Sequence, residues 1–254
     1  MKYKYALFLN PEDFLYAEAV DRVLADHGDS IEGVYLFPSK SPFRKKMAHL
    51  LANLRILRVQ EIPALIVFLL GRLGRSPTLK SVALRHGKPI FWFKDVNSPK
   101  VEEHIRSRGV DVVLNICMQI YRKEAISRLP PIYNFHGGYV PGNAGRFPVF
   151  WAYLKELPQV VTCHRITEVI DGGVPVLHYR LDSPRTESVW ETTLKIRDRF
   201  PEIIERAIHL IDDGASETFE LSIPRFYGPP PSRSDVARYR ELLRRARAES
   251  RARD

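Results

Sequence analysis

Apolar and polar positions in the first half of the chain follow two alternating rhythms. Tyr3 to Leu9 is an apolar run of strand length, and Asp13 to His27 follows with Phe14, Ala17, Val20, Val23 and Leu24 on one helical face. Ile31 to Phe37 reads as a second strand closed by Pro38, and Ser41 to Leu73 predicts two helices broken near Pro63. Pro89 to Phe93 predicts a third strand, after which Asn97-Ser98-Pro99 caps a helix with proline in its first turn. Asp111 to Ile116 is almost continuously apolar, as expected for a strand covered on both faces. The pattern predicts an α/β domain with a mostly parallel sheet, flanking helices and right-handed crossovers.

The second half breaks this rhythm. Ile132 to His136 is a short strand, followed by a loop bearing glycines and a proline, and Pro148 to Glu156 predicts a helix. Val160 to Thr167 and Val174 to Leu181 read as two strands joined by Glu168-Val169-Ile170-Asp171-Gly172-Gly173, a hairpin connection. Glu187 to Asp213 is a long amphipathic helix offering Val189, Leu194, Ile203, Ile204, Ala207 and Ile211 to the core. From Pro224 the chain is proline-rich, then ends in a short arginine-rich helix. The expected division is a main domain over residues 1–215 and a Pro- and Arg-rich extension over 216–254.

A chain of 254 residues, 44% hydrophobic and 11% aromatic, has the material for one large core. Cys117 and Cys163 each sit in an apolar run, the pattern of buried thiols in a reducing compartment and not of a disulfide framework. The N-terminal apolar stretch runs into Pro11 and two acids, so no signal peptide is expected and the expected location is the cytoplasm. The longest uncharged apolar run, Ile62 to Gly71, is about half the roughly 20 residues a membrane span needs. It predicts a core helix or, flanked by Arg55, Arg58, Arg72 and Arg75, an interfacial one, but no transmembrane segment. Net charge is +9, and between Gly33 and Ile90 eleven Lys or Arg face a single acid, Glu61. Such a surface suits phosphorylated or nucleotide-bearing small molecules, nucleic acid or an acidic membrane face, or is simply solvated. The aromatic–basic interleaving of an RNA-binding sheet is not visible, which argues against nucleic acid.

Asn134 and His136 stand two apart on one strand, so their side chains share a face, and both lie at its C-terminal end, where open α/β sheets bind ligands. Gly137 and Gly138 follow and leave room beside the imidazole. Asp171 lies in a turn where Asp-Gly-Gly needs no functional explanation. Taken singly, each has a plain structural reading; their order and setting change that. Cys163 and His164, adjacent on a strand, face opposite ways with no second pair to complete a metal site, so no metal is expected, and His164 and His178 read as structural. The turn Asn10-Pro11-Glu12-Asp13 is no G-x-G-x-x-G, which argues against a nicotinamide cofactor.

The run Asn134-Phe135-His136, then Pro141, Gly145 and Pro148, with Val161-Thr162 and Asp171-Gly172-Gly173 downstream, resembles the folate-dependent formyltransferase family. That family includes the glycinamide ribonucleotide, methionyl-tRNA and nucleotide-sugar formyltransferases. The likeness covers roughly Val112 to Val176 and extends loosely from the Asp95-Val96-Asn97-Ser98-Pro99 turn into the long helix. The family pattern is Asn-x-His-x-Ser-Leu-Leu-Pro, then Tyr-Arg-Gly or similar, then Asp-x-Gly. Here Gly138 stands for the Ser and Tyr139-Val140 for Leu-Leu, Asn143-Ala144 precede Gly145, and Gln159-Val160 replace a glycine before Val-Thr. The resemblance implies a Rossmann-like formyltransferase fold, N10-formyltetrahydrofolate as co-substrate, and Asn134, His136 and Asp171 as the catalytic residues. It places the pterin against Met118, Gln119, Ile120 and Tyr121 at the end of the fourth strand and against Thr167, Glu168, Val169 and Ile170 before the aspartate.

In that chemistry an amine attacks the formyl carbon directly, so no protein nucleophile is needed. The oxyanion that forms needs positioned donors, which the Asn134 amide and the His136 imidazole can be. A carboxylate beside an imidazole orients it and relays protons, the role that Asp171 takes by resemblance. Family members acting on tRNA carry a further C-terminal domain, whereas only a short segment follows the long helix here. Purine-pathway members carry a Gly-rich phosphate loop after the first strand, which Asn10 to Asp13 does not match. The expected acceptor is therefore an anionic small-molecule amine, a nucleotide-linked amino sugar as in lipopolysaccharide biosynthesis, with a natural-product amine or aminoacyl-tRNA as the alternative. Hydrolysis of the formyl donor, and non-catalytic anion or nucleic-acid binding on the same fold, are the rivals; a homodimer is left open.

Overall fold

The computed structural model describes residues 2–11, 16–40, 42–63, 65–67 and 77–252. In chain order the elements are β1 (Tyr5–Leu9), α1 (Ala17–His27), β2 (Ile31–Leu36), α2 (Phe43–Ile56), α3 (Leu79–Arg85), β3 (Ile90–Trp92), α4 (Pro99–Ser107), β4 (Val112–Asn115) and α5 (Lys123–Arg128). They continue with β5 (Ile132–His136), β6 (Asn143–Gly145), α6 (Pro148–Leu154), β7 (Val160–Arg165), β8 (Pro175–Arg180), α7 (Val189–Asp213), β9 (Phe226–Gly228) and α8 (Arg233–Arg251). The expected helix start at Asp13, with Phe14, and the Glu12-Asp13 half of the first turn lie outside the described residues, as do Ser41, residues 64 and 68–71 of the apolar run, and the flanking Arg72, Leu73 and Arg75.

Among the described residues, seven strands form one sheet in the order β3-β2-β1-β4-β5-β7-β8. The five from β3 to β5 are parallel; β7 is antiparallel to β5, and β8 to β7. Side chains alternate between the two faces. On one, Tyr5, Leu7, Leu9, Val112, Leu114 and Cys163 pack against α1, α3 and α7; on the other, Ala6, Phe8, Val113 and Ile132 pack against α4 and α5. This double cover explains the continuous apolar runs of the parallel strands. Both cysteines are buried and form no disulfide among the described residues, and burial pushes the Cys163 thiol well above its usual range.

Helix starts follow the local sequence. Ser98 accepts from Lys100 N ahead of Pro99, as read from sequence. At α7, Ser188 Oγ accepts from Glu191 N at 3.2 Å while Glu191 Oε2 accepts from Ser188 N at 2.6 Å, a reciprocal capping box. Leu194, expected in the core, is only half-buried; Ile196 and Phe200 take the deep positions. Among residues 62–67, Ile62, Ile66 and Val67 are exposed, so the described part of the apolar run does not enter the core as expected. Among the described residues no helix is long and apolar enough to cross a membrane.

Residues 216–252 are packed against the body of the molecule. Glu217 bonds to Val176 and His178 through its backbone, and β9 pairs in parallel with β6, inside the loop that follows β5. Helix α8 sets Val236, Tyr239 and Leu243 against Phe150, Tyr153 and Leu154 of α6 and Ile56 of α2. The Tyr239 hydroxyl accepts from Val189 N at 3.0 Å, at the start of α7.

Candidate active site

Strand register assembles the site. β4 places Asn115 beside Asn134 of β5, and β7 places His164 beside Asn134 and Thr162 beside His136. These side chains sit at the C-terminal end of β5, and Phe135 between them turns to the opposite face, against Phe200.

A chain of hydrogen bonds fixes the Asn134 amide. Tyr121 Oη donates to Asn115 Oδ1 at 2.7 Å, and Asn115 Nδ2 donates to Asn134 Oδ1 at 2.8 Å and to Cys117 O at 3.0 Å. With its oxygen held, Asn134 turns its N–H groups the other way, one spanning 3.3 Å to His164 Nε2. His164 Nδ1 lies 3.3 Å from Arg165 O. Burial, and then the neighbouring His136, push the His164 imidazole down to about 4, with Asp171 opposing. A neutral ring with its proton on Nδ1 thus accepts from Asn134.

His136 Nε2 lies 2.8 Å from the Asn143 carbonyl, which can only accept, so Nε2 carries the proton. Nδ1 faces Asp171 Oδ1 at 3.7 Å, beyond direct hydrogen-bond reach. The sequence allowed either nitrogen of His136 to act; the structure leaves Nδ1. Asp171 turns its carboxylate toward the two imidazoles. Its φ of 46° lies in the left-handed region that Asp tolerates, and its Oδ2 accepts from Gly145 N at 2.9 Å. Oδ1 lies between His136 and His164, 3.9 Å from His164 Nε2.

Two glycines are dictated by close approach. A Cβ on Gly173 would lie 1.6 Å from Arg165 O across the hairpin, so Asp-Gly-Gly closes a turn too tight for a side chain. A Cβ on Gly138 would lie 2.7 Å from Asn143 O, which accounts for glycine where the resembled pattern has serine. Thr162 Oγ1 donates to Gly138 O at 2.6 Å and accepts from Val140 N at 3.2 Å, clamping the same loop. His178 Nε2 reaches Val140 O at 3.0 Å and its Nδ1 accepts from Phe219 N, a structural tie between loop and tail.

The two segments expected to flank the pterin approach each other, joined by Lys123 to Glu168 at 3.1 Å. Met118, Ile120, Val169 and Ile170 expose apolar side chains. Gln119 and Tyr121 instead face the scaffold: Gln119 Nε2 donates to Pro38 O and Lys94 O, and Tyr121 is buried with its hydroxyl on Asn115. Met118 N is already bonded to Asn10 Oδ1 at 3.1 Å, and the Thr167 hydroxyl turns inward to Val169 O. Asn97 holds this loop through Ile120 O and Arg122 N, which gives the Asp95–Pro99 turn its place in the site. Sequence reading gave Asn115 no role, named Asn143 only as a departure from the resembled pattern and read His164 as structural. Asn115, a lone polar residue ending an apolar strand, was the one visible signal; the others are recruited by register and loop path.

No family model matches the chain. In sequence it is similar to the bifunctional polymyxin resistance protein ArnA of Wigglesworthia glossinidia brevipalpis, 24% identical over 161 residues that cover 58% of this chain and 25% of that protein. It is also similar to the methionyl-tRNA formyltransferase of Trichlorobacter lovleyi, 31% identical over 110 residues covering 42% of this chain and 35% of that one. The matched parts are thus about a quarter to a third of these relatives' length. In fold it is similar to a sugar N-formyltransferase from Shewanella sp FDAARGOS_354, with a TM-score of 0.59 at 14% identity over 93% of this chain and 87% of that chain. Glycinamide ribonucleotide transformylase 1 from Symbiobacterium toebii gives a TM-score of 0.58 at 14% identity over 89% and 94%. The fold is that of the formyltransferases. Over part of its length the sequence is similar to theirs as well.

Proposed function

We propose that the protein transfers a formyl group from N10-formyltetrahydrofolate to the amine of an amino sugar, with a nucleotide-linked sugar as the favoured acceptor. The observation that carries the reading is the meeting of Asn134, His136 and Asp171 at one strand end, each oriented by a further polar contact. When bound, N10-formyltetrahydrofolate supplies an activated formyl carbon. The residues present suit it, because exposed apolar Met118, Ile120, Val169 and Ile170 lie on the segments flanking the three polar groups.

Asn134 donates from its fixed amide to the charge that grows on the formyl oxygen. His136, with Nε2 committed to Asn143 O, takes up a proton at Nδ1, the atom facing Asp171, and delivers it to the folate nitrogen that departs as its bond to the formyl carbon breaks. The 3.7 Å gap between them is one that a bridging water or a small shift closes. Asp171, anchored by Gly145 N–H, holds the imidazole and accepts the proton shed by the attacking amine. For the acceptor, support comes from the fold likeness to a sugar N-formyltransferase, the sequence likeness to ArnA, and the basic excess between Gly33 and Ile90, which suits a diphosphate.

The test is product analysis by mass spectrometry after incubation with N10-formyltetrahydrofolate and, in separate reactions, a nucleotide-linked amino sugar, glycinamide ribonucleotide and methionyl-tRNA. A formylated amino sugar is expected. Formylation of another amine alone overturns the acceptor, and free formate or no turnover overturns the transferase reading.

A further inference from the structure

One cluster of side chains plays no part in the chemistry above. His27 ends α1, and Glu205 and His209 stand one turn apart on α7, where such spacing puts two side chains on one face. A ligand-type atom from each of the three lies within 4.8 Å of the other two. The His27 and His209 rings meet edge-on with centroids 5.9 Å apart. His27 is only 8% exposed, and its Nε2 is buried with no hydrogen-bond partner among the described residues. Buried ring nitrogens are normally satisfied, so an orphan beside a second imidazole and a carboxylate calls for a ligand.

We propose that His27, Glu205 and His209 bind one divalent transition-metal ion of the zinc class. Two imidazoles and one carboxylate are the donor set that such borderline ions take, with water completing the shell. Bonds of about 2.0–2.1 Å on a tetrahedral ion place donor atoms about 3.3 Å apart, so the three groups must draw together. Glu205 and His209 are exposed, which gives them the freedom to do so and gives the ion a path in. The expectation of no metal rested on Cys163 and His164 and did not reach this cluster, whose His27 lies far in sequence from Glu205 and His209. Its place defines its role. α1 returns across the sheet and ends just before β2 begins, so the cluster lies at the edge opposite Asn134 and His136. The ion ties α1 to α7 and stays clear of the formyl chemistry.

The experiment titrates untagged, chelator-treated protein with zinc chloride and, separately, with cobalt(II), reading stoichiometry by calorimetry and geometry from the cobalt absorption. One equivalent of zinc is expected, with intense four-coordinate cobalt bands and a raised melting temperature. Glu205→Gln and His209→Ala, both at exposed positions, weaken affinity by about 10-fold or more. His136→Ala binds zinc as the parent does. The proposal is overturned if the parent binds no zinc at micromolar free metal, if His209→Ala binds as tightly, or if His136→Ala abolishes binding.

Discussion

Asn134, His136 and Asp171 each have a polar contact that fixes their position, to Asn115, Asn143 O and Gly145 N, and His136 Nδ1 and Asp171 Oδ1 are left facing each other, an arrangement suited to passing a proton. Asn134→Ala, His136→Ala and Asp171→Asn are each expected to lower turnover by at least about 10² while the fold survives, as measured by steady-state kinetics beside circular dichroism. A well-folded His136→Ala protein with near-parental turnover would exclude the assigned role. His164 carries a separate expectation, about stability. Burial keeps its imidazole neutral in the folded chain down to about 4, whereas the unfolded chain takes up that proton near 6.5. Between those values the unfolded state holds more protons, so stability falls as pH drops from 7 toward 4 and this contribution is flat below it. The loss approaches at most about 3 kcal/mol. Urea midpoints at pH 7 and pH 4.5 measure it, and His164→Gln should flatten the difference; an unchanged slope in that variant would assign the acid sensitivity elsewhere.

The hairpin between β7 and β8 shows what a turn of plain appearance does for the site. Gly173 lets the chain pass against Arg165 O, and that crossing sets Asp171 under His136. Gly173→Ala must open the turn. We expect a cost of about 3 kcal/mol or more, with turnover falling at least tenfold, from urea denaturation and kinetics on the same preparation. Parental stability would mean that the hairpin relaxes without strain. Elements of this kind were legible in advance wherever local chemistry decides them. Ile132 to His136 holds to the residue, the Ser98-Pro99 start is as read, and 168–173 does join two antiparallel strands. What local pattern does not encode went unread. β6 and β9 are three residues each, in glycine- and proline-rich chain with no periodicity, and exist only because each completes the other. Asn143 and His164 join the site through that loop and that register, so no spacing in sequence announces them.

Strand order and the fate of the tail are properties of the assembled molecule, and sequence reading treated residues 216–254 as an extension. Their contacts argue for integration. Arg225 reaches Ile170 O at 2.6 Å beside Asp171, and β9 lines up with β6, whose Gly145 N–H holds the Asp171 carboxylate. Trp151 Nε1 donates to Pro229 O, and Arg240 caps the end of α2 through Arg55 O and Leu57 O. Tyr239 is the keystone: fully buried, its ring lies 5.4 Å from Phe150 and 5.0 Å from Tyr153, with its hydroxyl on Val189 N. Two outcomes can be told apart. Were the tail merely appended, Tyr239→Ala would melt it alone, in a separate early transition, and leave turnover intact. Because the tail instead supports the loop that anchors Asp171, Tyr239→Ala should lower one cooperative transition by about 3–5 kcal/mol and reduce turnover with it. Tyr239→Phe, which keeps the ring and loses only the bond to Val189 N, should cost about 1 kcal/mol and leave turnover near the parent. Thermal and urea unfolding followed by circular dichroism, with turnover on the same samples, separates the two, and a biphasic Tyr239→Ala curve with full activity would make the tail an appendage after all.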